Sequence, residues 1–354
     1  MIYREAGQFR TSYAADQAVF PVLQDRIFVW GIGVIAFLVV PFLANEYLLR
    51  AILVPFLILA IAAIGLNILV GYCGQISLGS AAFMAVGAYA AYDITVHLPG
   101  LNLLVVFILG GLCAAGAGVL FGLPSLRIKG YYLAVATLAA QFFFDWMFIR
   151  IPWFTNYASS GSVSAPPLLI FGVPFDTPAG RYLLSLGLLT LTALMAKNLV
   201  RGRMGRMWMA TRDMDIAAEI IGIRPLHAKL SAFAISSFII GVSGALWAFV
   251  HLGSWEPLAF SIDRSFALLF MVVIGGLGSI LGCFFGAAFI TMVPIFLNQV
   301  PTALGIPLST AMISNIEFMT FGALIVFFLV VEPNGLARLW AVGKEKLRLW
   351  PFPH

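Results

Sequence analysis

The residues of this 354-residue sequence that could make or break bonds are its histidines, cysteines and carboxylates, and their spacing supports no such chemistry. The four histidines, His97, His227, His251 and His354, are scattered without a ligand-like interval. Cys73, Cys113 and Cys283 lie in apolar or glycine-rich stretches and give neither a metal spacing nor a disulfide framework, so they read as small packing residues. No G-x-x-x-x-G-K-[ST] run occurs, and Gly343-Lys344 has Arg338 where the first glycine of such a loop belongs. If ATP drives this protein, another chain hydrolyses it. No cofactor, metal ion or catalytic residue is expected. Asp93, Asp145, Glu317 and Glu332 fall near the ends of apolar runs, with none placed at a midplane. An ion-coupled carrier needs such a group, so a secondary transporter is disfavoured.

Binding, rather than bond chemistry, has better candidates. Asn67, Gly71, Gly74, Gln75, Ser77, Gly79 and Ser80 cluster where the second apolar run gives way to the third. Glycines there let backbones approach closely or turn carbonyls toward a solute. Thr137 and Gln141 lie one turn apart on one face of the fifth run. Gly275, Gly276 and Gly278 end another run, and this stretch faintly echoes the glycines at 71–74. Two readings stand for all of these residues: tight packing with satisfied interhelical hydrogen bonds, or the wall of a substrate path.

Residues 201–223 differ in kind. They form a polar, basic island that cannot sit in lipid. The arginines up to Arg212 suit an anionic membrane surface. Asp213 and Asp215 are expected to start a short amphipathic helix running to Ile221, where their charge suits the positive end of the helix dipole. Ile216, Ile220 and Ile223 would form its apolar stripe, with Gly222 and Pro225 as its stop. Such a helix either lies on lipid or docks in a partner's groove.

These residues must be carried by membrane helices. The hydrophobic fraction is 62%, only 10% of residues are charged, and the mean hydropathy is +1.01. Soluble domains hold roughly 45–50% apolar residues. Long continuous apolar runs exclude a β-barrel, whose strands alternate. The expected fold is an all-α polytopic transmembrane bundle of about eight to ten spans with a short cytoplasmic coupling helix. Ten candidate spans lie near 26–45, 49–70, 79–97, 102–122, 131–150, 181–198, 229–251, 264–276, 282–298 and 315–332. The eighth is short for a core of about 30 Å and is expected to be broken or re-entrant. With the N-terminus inside, only Arg50, Arg150, Arg181 and Arg264 of the 20 basic residues fall outside, which fixes the orientation by the positive-inside rule. The same rule accounts for the net charge of +5 without nucleic acid. The polar first 25 residues carry no signal-peptide core. The expected divisions are a cytoplasmic segment 1–25, a permease domain 26–335 and a basic cytoplasmic tail 336–354. Within the domain lie a coupling loop at 199–228 and a proline-rich outer loop at 151–180.

With these motifs in place, the sequence resembles a known family. Ala217-Ala218-Glu219-Ile220-Ile221-Gly222 resembles the Glu-Ala-Ala-type loop of bacterial ATP-binding-cassette importer permeases, with Gly222 at the loop's usual glycine. Three further segments resemble, in the same order, the branched-chain amino acid permease family, and more closely its M-type subunit. They are Gly71–Gly79 with Gly87-Ala88-Tyr89, Arg127–Ala134 with Thr137-Leu138-Ala139, and Gly275–Ser279 with Gly286-Ala287. The resemblance spans about residues 50–335. It implies a second, homologous permease subunit, two cytoplasmic ATP-binding subunits and a periplasmic substrate-binding protein, all working at the inner membrane of a bacterial cell. It also implies branched-chain or other hydrophobic amino acids as substrate. Ser80 stands where the family often has histidine, and urea, short amides or aromatic acids are the substrates of sister systems.

Overall fold

A computed structural model of the chain describes residues 11–12, 23–125, 132–157, 161–170, 172–303, 310–332 and 334–349. Of the residues singled out above, the segment 127–131 and His354 lie outside these, as does the side chain of Glu317. Thirteen helices carry the described chain. The first, α1 (Leu23–Val34), runs on through a π-helical segment into Val40–Leu43. Next come α2 (Leu48–Tyr72), α3 (Ser80–His97), α4 (Leu103–Ser125), α5 (Tyr132–Arg150) and α6 (Pro178–Arg201). Two short helices follow, α7 (Arg203–Asp213) and α8 (Asp215–Ile220). The remainder are α9 (Pro225–Leu252), α10 (Ile262–Gly275), α11 (Ile280–Ala303), α12 (Thr310–Val331) and α13 (Gly335–Leu349). Among the described residues, eight helical segments are long and apolar enough to cross a membrane, with α3 and α12 as further apolar helices of 18 and 22 residues. The bundle is the expected one.

Two helices form its centre. The span windows of α2 and α9 are each 83% buried, whereas no residue of the α1 window is. A helix apolar all round belongs in such a centre. Small residues then bring backbones together. Gly87 of α3 faces the carbonyl of Gly241 in α9, and Gly244 faces that of Met84. Gly118 and Gly122 of α4 receive Ser237 and Phe233. With lipid outside, this close packing replaces the hydrophobic drive. Ser243 Oγ adds a hydrogen bond of 2.8 Å to the Ile58 carbonyl, pinning α9 to α2.

Strands occur at one end only, among the described residues. Val163–Ser164 (β1) pairs antiparallel with Ser254–Trp255 (β4), and Leu169–Ile170 (β2) with Val173–Pro174 (β3). The proline-rich loop expected as a connector is therefore tied to the segment after α9. Arg181 Nη1 donates to the Val250 carbonyl at 2.9 Å at the same end, and Thr177 caps α6 by accepting from Gly180 N.

Two expectations need correction. The eighth span is not 264–276. It begins at Pro257 with a 3-10 turn (Pro257–Phe260) and continues as α10, so it carries Asp263 and Arg264 inside it. The paired charges made the apolar run look shorter than the helix. Next, Asp213 does not start the short helix. It ends α7, the chain turns extended at Met214, and Asp215 opens α8. Beyond these expectations, the C-terminal part carries α13, whose Trp340 packs against Phe285 of α11.

Candidate functional site

The expected path residues occupy two places. The first is the middle of the bundle, where α2 and α3 are joined by an extended, non-helical stretch, Cys73–Gly79. The first turn of α3 would leave unpaired N–H groups in the protein interior. Side chains from two other helices take them up. Gln141 Oε1 accepts from Ala82 N at 2.8 Å, and Ser265 Oγ accepts from Ala81 N at 2.8 Å. Ser265 Oγ then donates to Gln141 Oε1 at 2.9 Å. Gln141 Nε2 donates to the Phe260 carbonyl at 2.9 Å and to Asp145 at 3.1 and 3.2 Å. Thr137 Oγ1 accepts from Leu78 N at 3.0 Å and donates to the Ala134 carbonyl. One amide thus fastens the starts of two broken spans, α3 and the 3-10 turn ahead of α10. Both Thr137 and Gln141 are fully buried. Gly79 lies against the Thr137 carbonyl with no room for a side chain. Of the two readings left open for Thr137 and Gln141, the satisfied interhelical hydrogen bond describes their geometry. Ser80 Oγ is fully buried, with no hydrogen-bond partner among the described residues.

The second place is the end of the bundle where α2, α7 and the α10–α11 turn meet. Asn67, 1% exposed, donates from Nδ2 to the Ser279 carbonyl at 3.0 Å and accepts at Oδ1 from Gly278 N at 2.9 Å. One turn further, the Gly71 carbonyl accepts from Arg212 Nη1 at 2.8 Å. Arg212 also holds Asp213 through Nε (2.9 Å) and Nη2 (2.8 Å). Its stem lies against Gly74, whose φ of +71° and tight surroundings both require glycine. Gly275 and Gly276 face Gly282 and Asn334, closing the turn. Ser77 is buried. Gln75 is half-buried and makes only a long contact to its neighbour's carbonyl (3.4 Å). It is the expected path residue whose amide is least engaged.

From this end α7 and α8 project. Trp208 of α7 is fully buried and donates from Nε1 to Ser231 Oγ at 3.0 Å, while Gly205 sits on the Val200 carbonyl. Helix α7 is therefore seated firmly. The sequence signal for it, missed above, is Met204, Trp208 and Thr211 at helical spacing. Helix α8 is attached through buried Ala218, and it ends as expected at Gly222 (φ +88°). There the Ile223 N–H reaches the Ala218 carbonyl and the Gly222 N–H the Glu219 carbonyl, the paired bonds of a glycine-capped helix end. Ala217 and Glu219 are exposed. Ile223 turns inward, so the expected stripe is revised. The exposed apolar set is Met214 (70%), Ile216 (66%), Ile220 (81%) and Ile221 (72%).

The family model described as branched-chain amino acid transport system / permease component matches residues 48–331 of this geometry, from α2 through α12. The chain belongs to the branched-chain amino acid permease family. It is a multi-pass membrane protein, and the match takes in both fastened regions and the α7–α8 projection. Relatives agree. The chain is 30% identical over 308 residues to the high-affinity branched-chain amino acid transport system permease protein LivM of Salmonella typhimurium, covering 79% of this chain and 68% of the relative. It is similarly 30% identical to the Escherichia coli protein of that name, over the same shares. It is 24% identical to a probable branched-chain amino acid transport permease protein LivM of Methanocaldococcus jannaschii, over 82% of this chain and 93% of the relative. No solved structure matches the chain.

Proposed function

We propose that this permease is the channel-forming subunit of an ATP-driven importer for branched-chain amino acids at the bacterial inner membrane. It works with a second, homologous permease chain, two cytoplasmic ATP-binding subunits and a periplasmic binding protein that delivers the solute. Bond chemistry belongs to the ATP-binding chains. The observation that carries this reading is the projecting α8. Four large apolar side chains, two on this six-residue helix and one at each of its caps, stand exposed outside every span, and water does not favour that arrangement unless a partner covers it. The attachment suits a coupling role. Motion of α8 reaches Arg212 at the end of α7, and through its bond to Gly71 reaches the broken stretch at 73–79.

In this reading Asp213, Asp215, Ala217, Ala218, Glu219 and Gly222 serve coupling, and Asn67, Gly74, Gln75, Ser77, Gly79, Thr137, Gln141, Gly275, Gly276 and Gly278 shape the path by fixing its backbone. Both termini and the α8 end face the cytoplasm, and the β1–β4 end faces outward, as the basic residues dictate. Arg203→Cys should then label from the cytoplasmic side and Ser164→Cys from the outer side, in a background with the native cysteines replaced. Reversed labelling would sink the orientation. The coupling test uses the assembled transporter. Glu219→Lys and Gly222→Asp should leave the chain in the membrane at normal levels yet abolish leucine uptake and uptake-stimulated ATP hydrolysis. Normal uptake by both variants would remove the coupling role.

A further inference from the structure

We propose that the hollow between α7 and the α8–α9 turn binds the headgroup of an anionic phospholipid, with Arg203, Arg206 and Arg224 holding its phosphate. The assignment goes beyond the importer reading and does not depend on what the permease carries. Helix α7 turns Gly205, Trp208 and Thr211 into the bundle. Arg203, Arg206 and Met207 lie on its opposite face, and across from them stand Ile223, Arg224 and His227. Together they line a cavity of about 530 Å³, within the roughly 300–1,000 Å³ of small-molecule sites.

The charge of this hollow is one-sided. Among the described residues none of its three arginines is ion-paired, and Arg206 gives only Nη1, to the Arg201 carbonyl at 3.0 Å. The acids of α7 and α8 stand elsewhere. Asp213 is held by Arg212, and neither Asp215 nor Glu219 lines the cavity. Three guanidiniums gathered without a carboxylate repel one another. A phosphate among them offsets that repulsion and accepts their paired N–H donors. His227 adds a ring N–H donor beside them.

The position selects a lipid over a solute in water. Spans α6 and α9 carry Lys197 and Lys229 near the ends that face this hollow, which marks where hydrocarbon gives way to headgroups. Arg203 follows Lys197 by six residues and Arg224 precedes Lys229 by five, at most about 9 Å of helix rise, which an arginine stem spans. The lining is also amphiphilic. Met207, Ala210 and Ile223 share it with the arginines, which suits a phosphate joined to glycerol and acyl esters better than an inorganic ion. Gly222, where α8 stops with φ +88°, belongs to the same lining. A phosphate bound to α7 on one side and to Arg224 on the other therefore ties down the turn that ends α8, and sets the angle at which that helix is presented.

The test uses the full chain. Released from nanodiscs of phosphatidylcholine and phosphatidylglycerol and weighed by native mass spectrometry, wild type should keep phosphatidylglycerol in preference. Arg203→Gln, Arg206→Gln and Arg224→Gln combined should lower that retention about tenfold or more. Arg338→Gln combined with Lys346→Gln, basic residues of α13, should leave it unchanged. A second measurement needs no variant. A phosphatidylglycerol with a photoreactive headgroup should label wild-type peptides carrying Met207 or Ile223. Excess inorganic phosphate or glycerol 3-phosphate should leave the labelling intact. Displacement by either makes the hollow a free-anion site and overturns the lipid assignment. Labelling that added ATP-binding subunits abolish makes it a protein interface and overturns the assignment equally. Equal retention by wild type and the triple variant, or labelling confined to other peptides, removes the site altogether. None of these outcomes overturns the importer reading, which uptake decides.

Discussion

The fastened region around Gln141 and the projecting α8 stand in opposite states of completion. Around Gln141 a single buried amide meets Ala82, Ser265, Asp145 and Phe260. At α8, Met214, Ile216, Ile220 and Ile221 are turned outward with no cover from the described residues. A finished polar network inside a membrane protein sets geometry and resists change, because an orphaned group has no water to turn to. An unfinished apolar surface outside the spans awaits another chain. The difference separates scaffold from interface within one polypeptide, and substitutions in each should fail differently.

The sharpest effect is expected at Gly79. Any side chain there meets the Thr137 carbonyl, so Gly79→Val should leave no folded protein in the membrane fraction on a blot. Normal levels would mean that the 73–79 stretch is loosely held. Next comes Gln141→Leu, which orphans the Ala82 N–H and the Phe260 carbonyl. At roughly 1–3 kcal/mol for each orphaned group, it should lower the unfolding temperature in detergent clearly, with uptake falling in proportion to folded protein. Smaller in stability is Arg212→Ala, which gives up a charge-assisted bond to the Gly71 carbonyl worth about 1.5–3 kcal/mol at most at this half-exposed site. Here uptake should drop more than stability. Equal losses in both would make Arg212 a mere fastener. The least destabilising change is Ile220→Ser, expected within about 0.5 kcal/mol of wild type for an exposed site. It should still weaken co-purification with the ATP-binding subunits, and if assembly stays intact, the exposed apolar set is not an interface.

Much of this was legible in the sequence because membrane burial writes long apolar runs. Ten runs became helices at close to their expected places, and Gly222 ended α8 as its type suggested. What could not be read is partnership across the chain. That Gln141 would meet Ala82 and Ser265, 59 and 124 residues away, follows from helix packing that no local pattern encodes. Charge also misled. Asp263 and Arg264 look like a loop by composition, yet the fold carries them inside the helical segment Pro257–Gly275. Asp213 misled for a subtler reason. An acid suits a helix start, but here it serves as the partner of Arg212, and Asp215 takes the start. The tail was passed over because its helix, α13, alternates charged and apolar residues rather than running apolar.

The strand pair at the outward end has a mechanical meaning. Val163 opposite Trp255, and Arg181 bound to Val250, close the stretch between β1 and β4 into a ring clamped at its base. Within that ring, α6 packs against α2 while α9 packs against α2, α3 and α4, and the two run 24 and 28 residues, about 35–42 Å, between the clamp and the α7–α8 crown. Both are tied together at the strands and held in the bundle by different neighbours. A displacement of the crown that leaves the strand pair intact is therefore largest at the crown, falls toward the strands, and reaches the depth of Gln141 at an intermediate size.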